Sequence, residues 1–301
     1  STTSAKTSAC RPGTTASSNA LDALARDPDT FIRLADKGQA WSIATDPVRI
    51  AGPMWFVGTK GLGAFLFDTS DGLILVNSGM PGSGPMIADS IRRAGFRPEA
   101  IRIILANHGH VDHVGGHAFL QRLSGAKVMI MHDDAETVES GGSRDFFYGA
   151  SQAFRFDPVK VDRRLADGDL VTLGDVSLRA VRMRGHSPGA TSLMANIQDG
   201  TRVLEVLIVD GTGINPGYRV AVRPSYPGIG DDYRRTFAIL ESLSPDIWVT
   251  PHTNEFGFEA KRARSAVAGV EAWVDPAGYR QWVAEKKAVF EAKVAAELSG
   301  M

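Results

Sequence analysis

Cysteine is almost absent from this sequence of 301 residues, and no long apolar run is present. The single cysteine, Cys10, has no partner for an internal disulfide, and one thiol cannot build a thiolate metal cluster. No apolar stretch approaches the roughly 20 residues of a membrane-spanning helix. The 33 basic and 34 acidic residues nearly cancel, so the charge balance favours neither nucleic acid nor an anionic membrane surface as a partner.

The first 19 residues differ in composition from the rest of the chain. Residues 1–19 are rich in serine, threonine and alanine and have no hydrophobic period, which is typical of a tail. Two positions are open for this tail: against the edge of the folded domain, or along the cleft that holds the candidate site. We expect residues 20–301 to form one domain. The sequence carries no signal for an oligomeric state.

Two strand-rich groups, each flanked by helices, follow the tail. The first group contains the apolar segments MWFVG, GAFLF, GLILVN and IRIILAN, separated by glycine-rich turns and an amphipathic helix. The second group has strands near 170–173, 176–184, 191–197 and 202–209, with helices near 230–243, 257–267 and 277–298. Two such groups predict two sheets face to face, with helices outside and two pseudo-equivalent halves.

The segment NHGHVDHVGG, residues 107–116, concentrates polar side chains directly after a buried strand. His108 and His110 are two residues apart, so in an extended segment they point the same way and can bind one cation together. Asp112 and His113 follow a bend and can bind a second cation beside the first. Imidazole and carboxylate ligands without a thiolate favour zinc over iron or manganese.

Two further histidines complete the predicted metal site. His186 and His252 each follow a strand and lie in loops, where sites built on a sheet collect their ligands. The predicted ligand set is therefore five histidines and one aspartate. We expect His117, one turn into a helix, and His132, at the end of a strand, to have structural roles.

The motifs HGHVDHVGG, GHSPGAT and VTPH, in this order, resemble the metallo-β-lactamase superfamily. The stretches PVRIAGPMWFVGTKGLGAFLF, VDGTGINPGY and YPGIGDDYRRTFAILESLSPDIWVTPH are similar to the di-zinc β-lactamase subclass with all-histidine ligation of the first zinc. The likeness runs from about Trp41 to about Phe258. It implies an α/β fold, a four-layer αββα sandwich with the metals in a cleft along its edge.

The resemblance also implies the ligands of two zinc ions per chain. The first zinc takes His108, His110 and His186, and the second takes Asp112, His113 and His252. The implied activity is hydrolysis of the amide bond of β-lactam antibiotics, a small-molecule substrate, through a metal-bridging hydroxide. Asp112 is the catalytic candidate in this scheme, and we favour a ligand role for it over that of a free base.

The resemblance implies a periplasmic or secreted protein. The chain starts without methionine, which indicates a processed product whose targeting segment is absent.

Three positions depart from the pattern of the subclass. Members often carry serines after the aspartate of VDG, where they help to hold the substrate carboxylate, but this chain has Gly211 and Gly213 there. Thr212, between the two glycines, is the remaining candidate for a substrate contact. Asn77 replaces an aspartate common in the superfamily, and we expect little catalytic consequence.

The main alternative is another hydrolase of the same superfamily. Thioesterases, lactonases and phosphodiesterases of this fold use a bridging aspartate, and Asp210 in VLIVDG lies close to that position. If Asp210 bridges the metals, the site resembles theirs. A zinc-dependent binding module without activity is less favoured, because structural zinc sites are closed and usually rich in thiolates.

The aromatic segment FFYG, residues 146–149, lies in an irregular stretch between the two halves. In the family that the chain resembles, a loop here borders the substrate cleft. Phe147 and Tyr148 are therefore candidates for substrate contact, and packing within the loop is the alternative.

Overall fold

A computed structural model describes residues 23–24 and 26–300 of the chain. The predicted tail over residues 1–19, which includes Cys10, lies outside the described residues. The two positions expected for this tail therefore stay predictions. The strands are β1 (Val48–Ala51), β2 (Met54–Phe56), β3 (Phe65–Thr69), β4 (Gly72–Val76), β5 (Ile101–Leu105), β6 (Lys127–Met131), β7 (Arg163–Leu165), β8 (Leu170–Leu173), β9 (Val176–Arg182), β10 (Thr191–Asp199), β11 (Arg202–Ile208) and β12 (Ile247–Val249). The α-helices are α1 (Pro28–Gln39), α2 (Ser83–Arg93), α3 (Val111–Val114), α4 (His117–Ser124), α5 (His132–Glu139), α6 (Ile229–Ser242), α7 (Phe258–Ala268) and α8 (Pro276–Ser299).

The first sheet contains seven strands in sequential order, β1 to β7. Strands β1 to β4 form an antiparallel meander, and the pairs β4–β5, β5–β6 and β6–β7 are parallel. Each parallel pair is joined by a helical crossover, as parallel pairing requires. Strands β4 and β5 are buried along almost their whole length, because helices cover a sheet of this kind.

The second sheet has five strands in the order β12-β11-β10-β9-β8. Strands β8 to β11 are antiparallel, and β12 pairs with β11 in parallel after a crossover through α6. Buried and exposed residues alternate along the first part of β9, so this strand turns one face to the core. The two-sheet α/β architecture agrees with the fold that the sequence predicts.

The long C-terminal helix α8 packs against α6 and β12. The ring of Phe290 stacks on that of Tyr233 with centroids 5.2 Å apart, and the Tyr279 hydroxyl donates a hydrogen bond to the Leu240 carbonyl at 2.8 Å. These contacts hold one face of α8 against the domain. In the part of the chain that the structure describes, no helix is both long and apolar enough to cross a bilayer.

Three local details differ from the sequence-based expectation. Strand β7 was not predicted, because it has only three residues and two of them are exposed arginines. The bend expected around Asp112 is the short helix α3. The segment DPDTFIRLADKG predicts a helix with Asp27 as its cap and Gly38 as its stop. Helix α1 has this cap, but it passes Gly38 and ends at Gln39, and the next residue, Ala40, has a φ of 56° in the left-handed region.

We expect Phe258→Ala to lower the free energy of unfolding by about 3–5 kcal/mol, the usual cost of emptying a buried aromatic site. Phe258 begins α7, is buried, and stacks on Phe56 of β2 with ring centroids 4.0 Å apart. The control is Val267→Ala on the same helix, where the side chain is 95% exposed and the change should stay below about 0.5 kcal/mol. Urea unfolding measures both, and equal effects would contradict this packing role.

Candidate metal centre

Four of the six predicted ligands lie on one short stretch after β5. The chain leaves the sheet at Leu105, and His108 and His110 follow in a loop. His110 is extended, with φ −79° and ψ 157°, and directly precedes α3, which carries Asp112 and His113. A loop followed by one helical turn thus aims four side chains at the same space.

The structure brings all six predicted ligands together in two groups. His108, His110 and His186 form one group, and Asp112, His113 and His252 form the other. Within each group the candidate ligand atoms lie within 4.8 Å of one another. The two groups adjoin, since the ring centroids of His108 and His113 are 3.7 Å apart.

Unpaired nitrogen atoms in this cluster fit bound metal ions. Nε2 of His108 and both ring nitrogens of His113 are buried and have no hydrogen-bond partner among the described residues. A buried polar atom without a partner costs free energy, so such atoms point to a ligand. Nδ1 of His110 faces Nε2 of His186 at 3.1 Å, an approach suited to two nitrogens that share one cation. With one carboxylate and no thiolate, the donor set suits a metal such as zinc.

Two ligands of the first group are held through the nitrogen that faces away from the cluster. Nδ1 of His186 lies 2.9 Å from the Gly213 carbonyl oxygen, and Nε2 of His110 lies 3.1 Å from a carboxylate oxygen of Asp145. Each acceptor selects one tautomer and leaves the other nitrogen free for a metal. Burial lowers the pKa of His110, but the Asp145 carboxylate outweighs burial and raises it above its usual value. The carboxylate accepts the Nε2–H of the ring, so Nδ1 is the nitrogen that faces the cluster.

His108 has a carboxylate partner in the same way. Its Nδ1 lies 2.5 Å from Oδ2 of Asp210, the residue that the alternative hypothesis treats as a bridging ligand. Asp210 also forms a third candidate ligand group with His108 and His113. Burial raises the pKa of the Asp210 carboxyl to about 6, although His113 nearby acts in the opposite direction.

The electrostatics favour the metal-binding form of His186, His108 and Asp112. Burial lowers the pKa of His186 to about 3, and burial also places the pKa of His108 well below its usual value. Both imidazoles are therefore neutral near pH 7, as metal binding requires. Burial raises the pKa of Asp112, but the His113 and His252 imidazoles outweigh burial and hold it well below its usual range. Asp112 is therefore a carboxylate.

A buried carboxylate that the sequence analysis missed, Asp134, connects the two loops of the first ligand group. Its Oδ2 accepts hydrogen bonds from the Gly109 amide at 2.9 Å and the Ser187 hydroxyl at 2.7 Å, and its Oδ1 accepts one from the Gly189 amide at 2.7 Å. A Cβ on Gly189 would lie 2.6 Å from Asp134, which explains the glycine. Asp134 lies in the acidic first turn of α5, where an acid is ordinary, so its position in the sequence carries no signal of this role.

Asp145, also missed, lies next to the predicted aromatic contacts. Besides holding His110, it accepts the backbone N–H groups of Phe147 and Tyr148 at 2.8 and 2.6 Å. The Tyr148 ring is buried and stacks on Phe154 at a centroid distance of 3.7 Å. Of these aromatic residues, Phe154 lines the cavity at the metal site, and Phe147 and Tyr148 pack behind it.

A cavity of about 330 Å³ opens beside the ligand groups. Its walls come from α1, from the loop after β11, from the loop that carries His252, and from α8. The lining residues outside the ligand groups include Phe31, Ile32, Ala35, Trp41, Thr212, Asn215, Asn254, Glu255, Trp282, Lys286 and Val289. Trp41 packs against the His252 ring at 5.2 Å. The cavity thus has apolar walls from α1 and polar groups around the metal ligands.

The geometry explains the two glycines where serines were expected. Gly211 has φ of +100°, and a Cβ there would lie 2.3 Å from the Met183 carbonyl oxygen. A Cβ on Gly213 would lie 3.0 Å from Nδ1 of His186. Strain excludes a side chain at the first position, and crowding of a ligand ring disfavours one at the second. Thr212 is buried and lines the cavity.

The two histidines assigned structural roles lie outside the three ligand groups. His117 is buried, and its Nδ1 lies 2.5 Å from the Ser78 hydroxyl, which accepts the Gly116 amide at 3.0 Å. His132 is exposed at the start of α5. His117 therefore supports the turn after the ligand segment.

Asn77 supports the same region from β4. Its Oδ1 accepts the Asn107 backbone N–H at 3.0 Å, and its Nδ2 donates to the Asn107 side chain at 2.7 Å. Its φ of 64° lies in the left-handed region, which asparagine tolerates. Asn107, which directly precedes the ligand His108, is thus held in place by Asn77 directly after β4.

The part of the chain that carries the candidate ligands matches a known protein family. The sequence profile of the metallo-β-lactamase superfamily matches residues 64–252, more than half of the chain. The chain belongs to the metallo-β-lactamase superfamily and has its fold, which places it among metal-binding hydrolases.

Solved structures of β-lactamases are similar over most of the chain. A subclass B3 metallo-β-lactamase of Bradyrhizobium japonicum is 32% identical with a TM-score of 0.82, covering 88% of this chain and 99% of that one. A β-lactamase from Chitinophaga pinensis is 34% identical with a TM-score of 0.81, covering 85% and 96%. A metallo-β-lactamase of Cronobacter sakazakii is 38% identical with a TM-score of 0.80, covering 85% and 97%.

Curated relatives match over shorter regions. A probable metallo-hydrolase of Burkholderia pseudomallei is 30% identical over 48% of this chain and 49% of its own length. An N-acyl homoserine lactonase of Bacillus cereus is 24% identical over 46% of this chain and 60% of its own length. The chain therefore spans about half to three fifths of these relatives.

We expect Asp134→Asn to weaken zinc binding at the first ligand group by about 10- to 100-fold, because the carboxylate that positions the two ligand loops is lost. Unfolding free energy should also fall by about 1–3 kcal/mol, because the amide cannot accept all three buried hydrogen bonds. Competition with a chromogenic zinc chelator and urea unfolding measure the two effects. Glu136→Gln, an exposed change on the same helix, is the control and should alter neither. Wild-type affinity in Asp134→Asn would contradict the role.

In the zinc-loaded protein, we expect Asp112→Ala to weaken metal binding at the Asp-His-His group while the all-histidine group keeps its metal, because Asp112 supplies the carboxylate of the second ligand group. Zinc per chain should fall from about two to about one, and the circular dichroism spectrum should stay unchanged. Elemental analysis after gel filtration counts the metal. His132→Ala, an exposed histidine outside the ligand groups, should keep the wild-type ratio. An unchanged ratio in Asp112→Ala would show that this assignment is wrong.

Proposed function

We propose that this protein is a zinc-dependent β-lactamase that hydrolyses the amide bond of β-lactam antibiotics. One observation carries the proposal: an all-histidine group and an Asp-His-His group adjoin in one cleft. Its support is the similarity to subclass B3 enzymes over 84–88% of the chain, at 31–32% identity. The lower, local identity to a lactonase supports only the hydrolase class.

The chain's own residues would bind two zinc ions and position the substrate. The first ion would bind to His108, His110 and His186, and the second to Asp112, His113 and His252. When bound, such ions supply Lewis acidity and lower the pKa of water toward neutrality.

Around the ions, outer residues preserve the ligand geometry. Asp145, Asp210 and the Gly213 carbonyl hold the protons on the far ring nitrogens, so the near nitrogens stay unprotonated. The ionised Asp112 carboxylate lies 3.4 Å from Nε2 of His113 and 3.5 Å from Nε2 of His252, and it supplies negative charge to the second ligand group.

The apolar walls of the cavity serve substrate binding and water exclusion. Phe31 and Ile32 of α1, together with Phe154 and Trp282, are among the apolar lining residues. Apolar walls with a few placed polar groups are the usual form of a small-molecule site. We propose that this cavity receives the bicyclic β-lactam nucleus and its side group.

The alternative function is hydrolysis of a lactone, thioester or phosphodiester with Asp210 as a bridging ligand. The third ligand group, His108, His113 and Asp210, favours it, as does the match to a lactonase. Against it, Oδ2 of Asp210 is engaged by Nδ1 of His108 at 2.5 Å. A carboxylate that holds a ligand ring in this way acts on the metal through that ring.

We expect the zinc-loaded protein to hydrolyse a penicillin, a cephalosporin or a carbapenem, measured by loss of the ring absorbance. Clavulanate should not inhibit, because no serine nucleophile takes part, and dialysis against EDTA should abolish turnover until zinc is restored. A lactone and a thioester serve as comparison substrates. Turnover of these without any β-lactam turnover would support the alternative function and overturn the proposal.

A further inference from the structure

Apart from the histidine ligands, the cavity beside the ligand groups contains one basic side chain among its described lining residues. Lys286 of α8 lines the cleft, whereas Asp112, Asp210 and Glu255 contribute acids. A β-lactam carries a carboxylate next to the scissile amide, so a site for it needs a partner for that anion. Gly211 and Gly213 offer no side chain for this purpose.

Lys286 is held in a defined position by Glu255. Its Nζ lies 2.5 Å from Oε1 of Glu255, and the Trp282 indole N–H donates to Oε2 of the same carboxylate at 3.3 Å. The Nζ also lies 5.7 Å from the centroid of the Trp282 ring. The Glu255 and Lys286 side chains are 25% and 26% exposed, so the pair is partly desolvated at the cavity wall.

The ammonium group keeps donor capacity beyond this pair. A lysine carries three N–H donors, and the described hydrogen bonds use one of them, to Glu255. Lys286 is one of the residues that line the cavity, so the side of the ammonium group that Glu255 does not occupy is open to the cavity. Glu255 thus holds the ammonium group in place while further donors stay available.

The pair lies at the Asp-His-His end of the cleft. Glu255 is three residues after His252, and its backbone N–H donates to the His252 carbonyl at 3.1 Å. The charges of Glu255 and Lys286 both act on the His252 imidazole. A carboxylate on Lys286 would therefore lie beside the second ligand group.

We propose that Lys286 binds the substrate carboxylate and that Glu255 is a positioning residue for it. This inference rests on the proposed β-lactamase function and adds the residue that recognises the anion. The ammonium would bridge two carboxylates, that of Glu255 and that of the substrate. Repulsion between these two carboxylates limits the gain, and a charged hydrogen bond of this kind corresponds to about a tenfold change in affinity.

The test compares Lys286→Met with Lys287→Met in the zinc-loaded protein. Lys287 is the next residue on α8 and pairs with Glu241 at 2.7 Å outside the cavity, so it is a matched control. Substrates are benzylpenicillin and its neutral methyl ester. We expect Lys286→Met to raise KM for benzylpenicillin about tenfold with kcat within about twofold, and to leave KM for the ester unchanged. Lys287→Met should change neither.

Two further variants separate charge from packing. Lys286→Gln removes the charge but can still donate to Glu255, so KM for benzylpenicillin should rise as in Lys286→Met. Lys286→Arg keeps the charge and should restore most of the wild-type KM. Calorimetric titration with the hydrolysed product, benzylpenicilloate, should show the same order of affinities without turnover.

The outcomes distinguish this inference from the proposed function. Unchanged KM for benzylpenicillin in both neutral variants, with two zinc ions per chain, would overturn the role of Lys286 and leave the β-lactamase proposal standing. An equal rise of KM for the acid and the ester would indicate lost packing and would also overturn it. If the wild-type protein hydrolyses no β-lactam, the proposed function fails, and the inference that rests on it fails too.

Discussion

The orientation of a few buried imidazole rings is the constraint on which the rest of the site depends. Each ring has two nitrogens, and only a fixed tautomer presents the correct one to a cation. Asp145, Asp210 and the Gly213 carbonyl hold the far nitrogens of the first ligand group. Asp134 then joins the loops that carry these rings through three hydrogen bonds. Ligand geometry is thus a property of the outer carboxylates as much as of the ligands.

The two sheets place these groups by bringing strand ends to one edge. The ligand segment follows β5 of the first sheet, Asp210 follows β11 of the second, and His252 follows β12. Loops at strand ends are free to carry polar side chains, while the strands supply a rigid apolar base. Helices α1 and α8, distant in the chain, form walls of the resulting cleft.

A steric constraint acts on the loop after β11, which borders the cleft. The loop after β11 passes so close to Met183 and His186 that positions 211 and 213 are glycines. We propose Lys286 on α8 as the group that recognises the substrate anion, and Glu255 and Trp282 hold its position. In this proposal the length of α8 contributes to specificity as well as to packing.

The sequence by itself determined most strands, most helices and the six ligand candidates, because hydrophobic period and the close spacing of His108, His110, Asp112 and His113 are local signals. Tertiary structure decided which acids act on the rings. Asp145 lies 35 residues from His110, and Asp134 lies 53 residues from Ser187. Such pairs leave no periodic trace in a sequence, since only the fold brings them together. The same reason applies to the pair of Glu255 and Lys286, which two separate elements bring to one wall of the cleft.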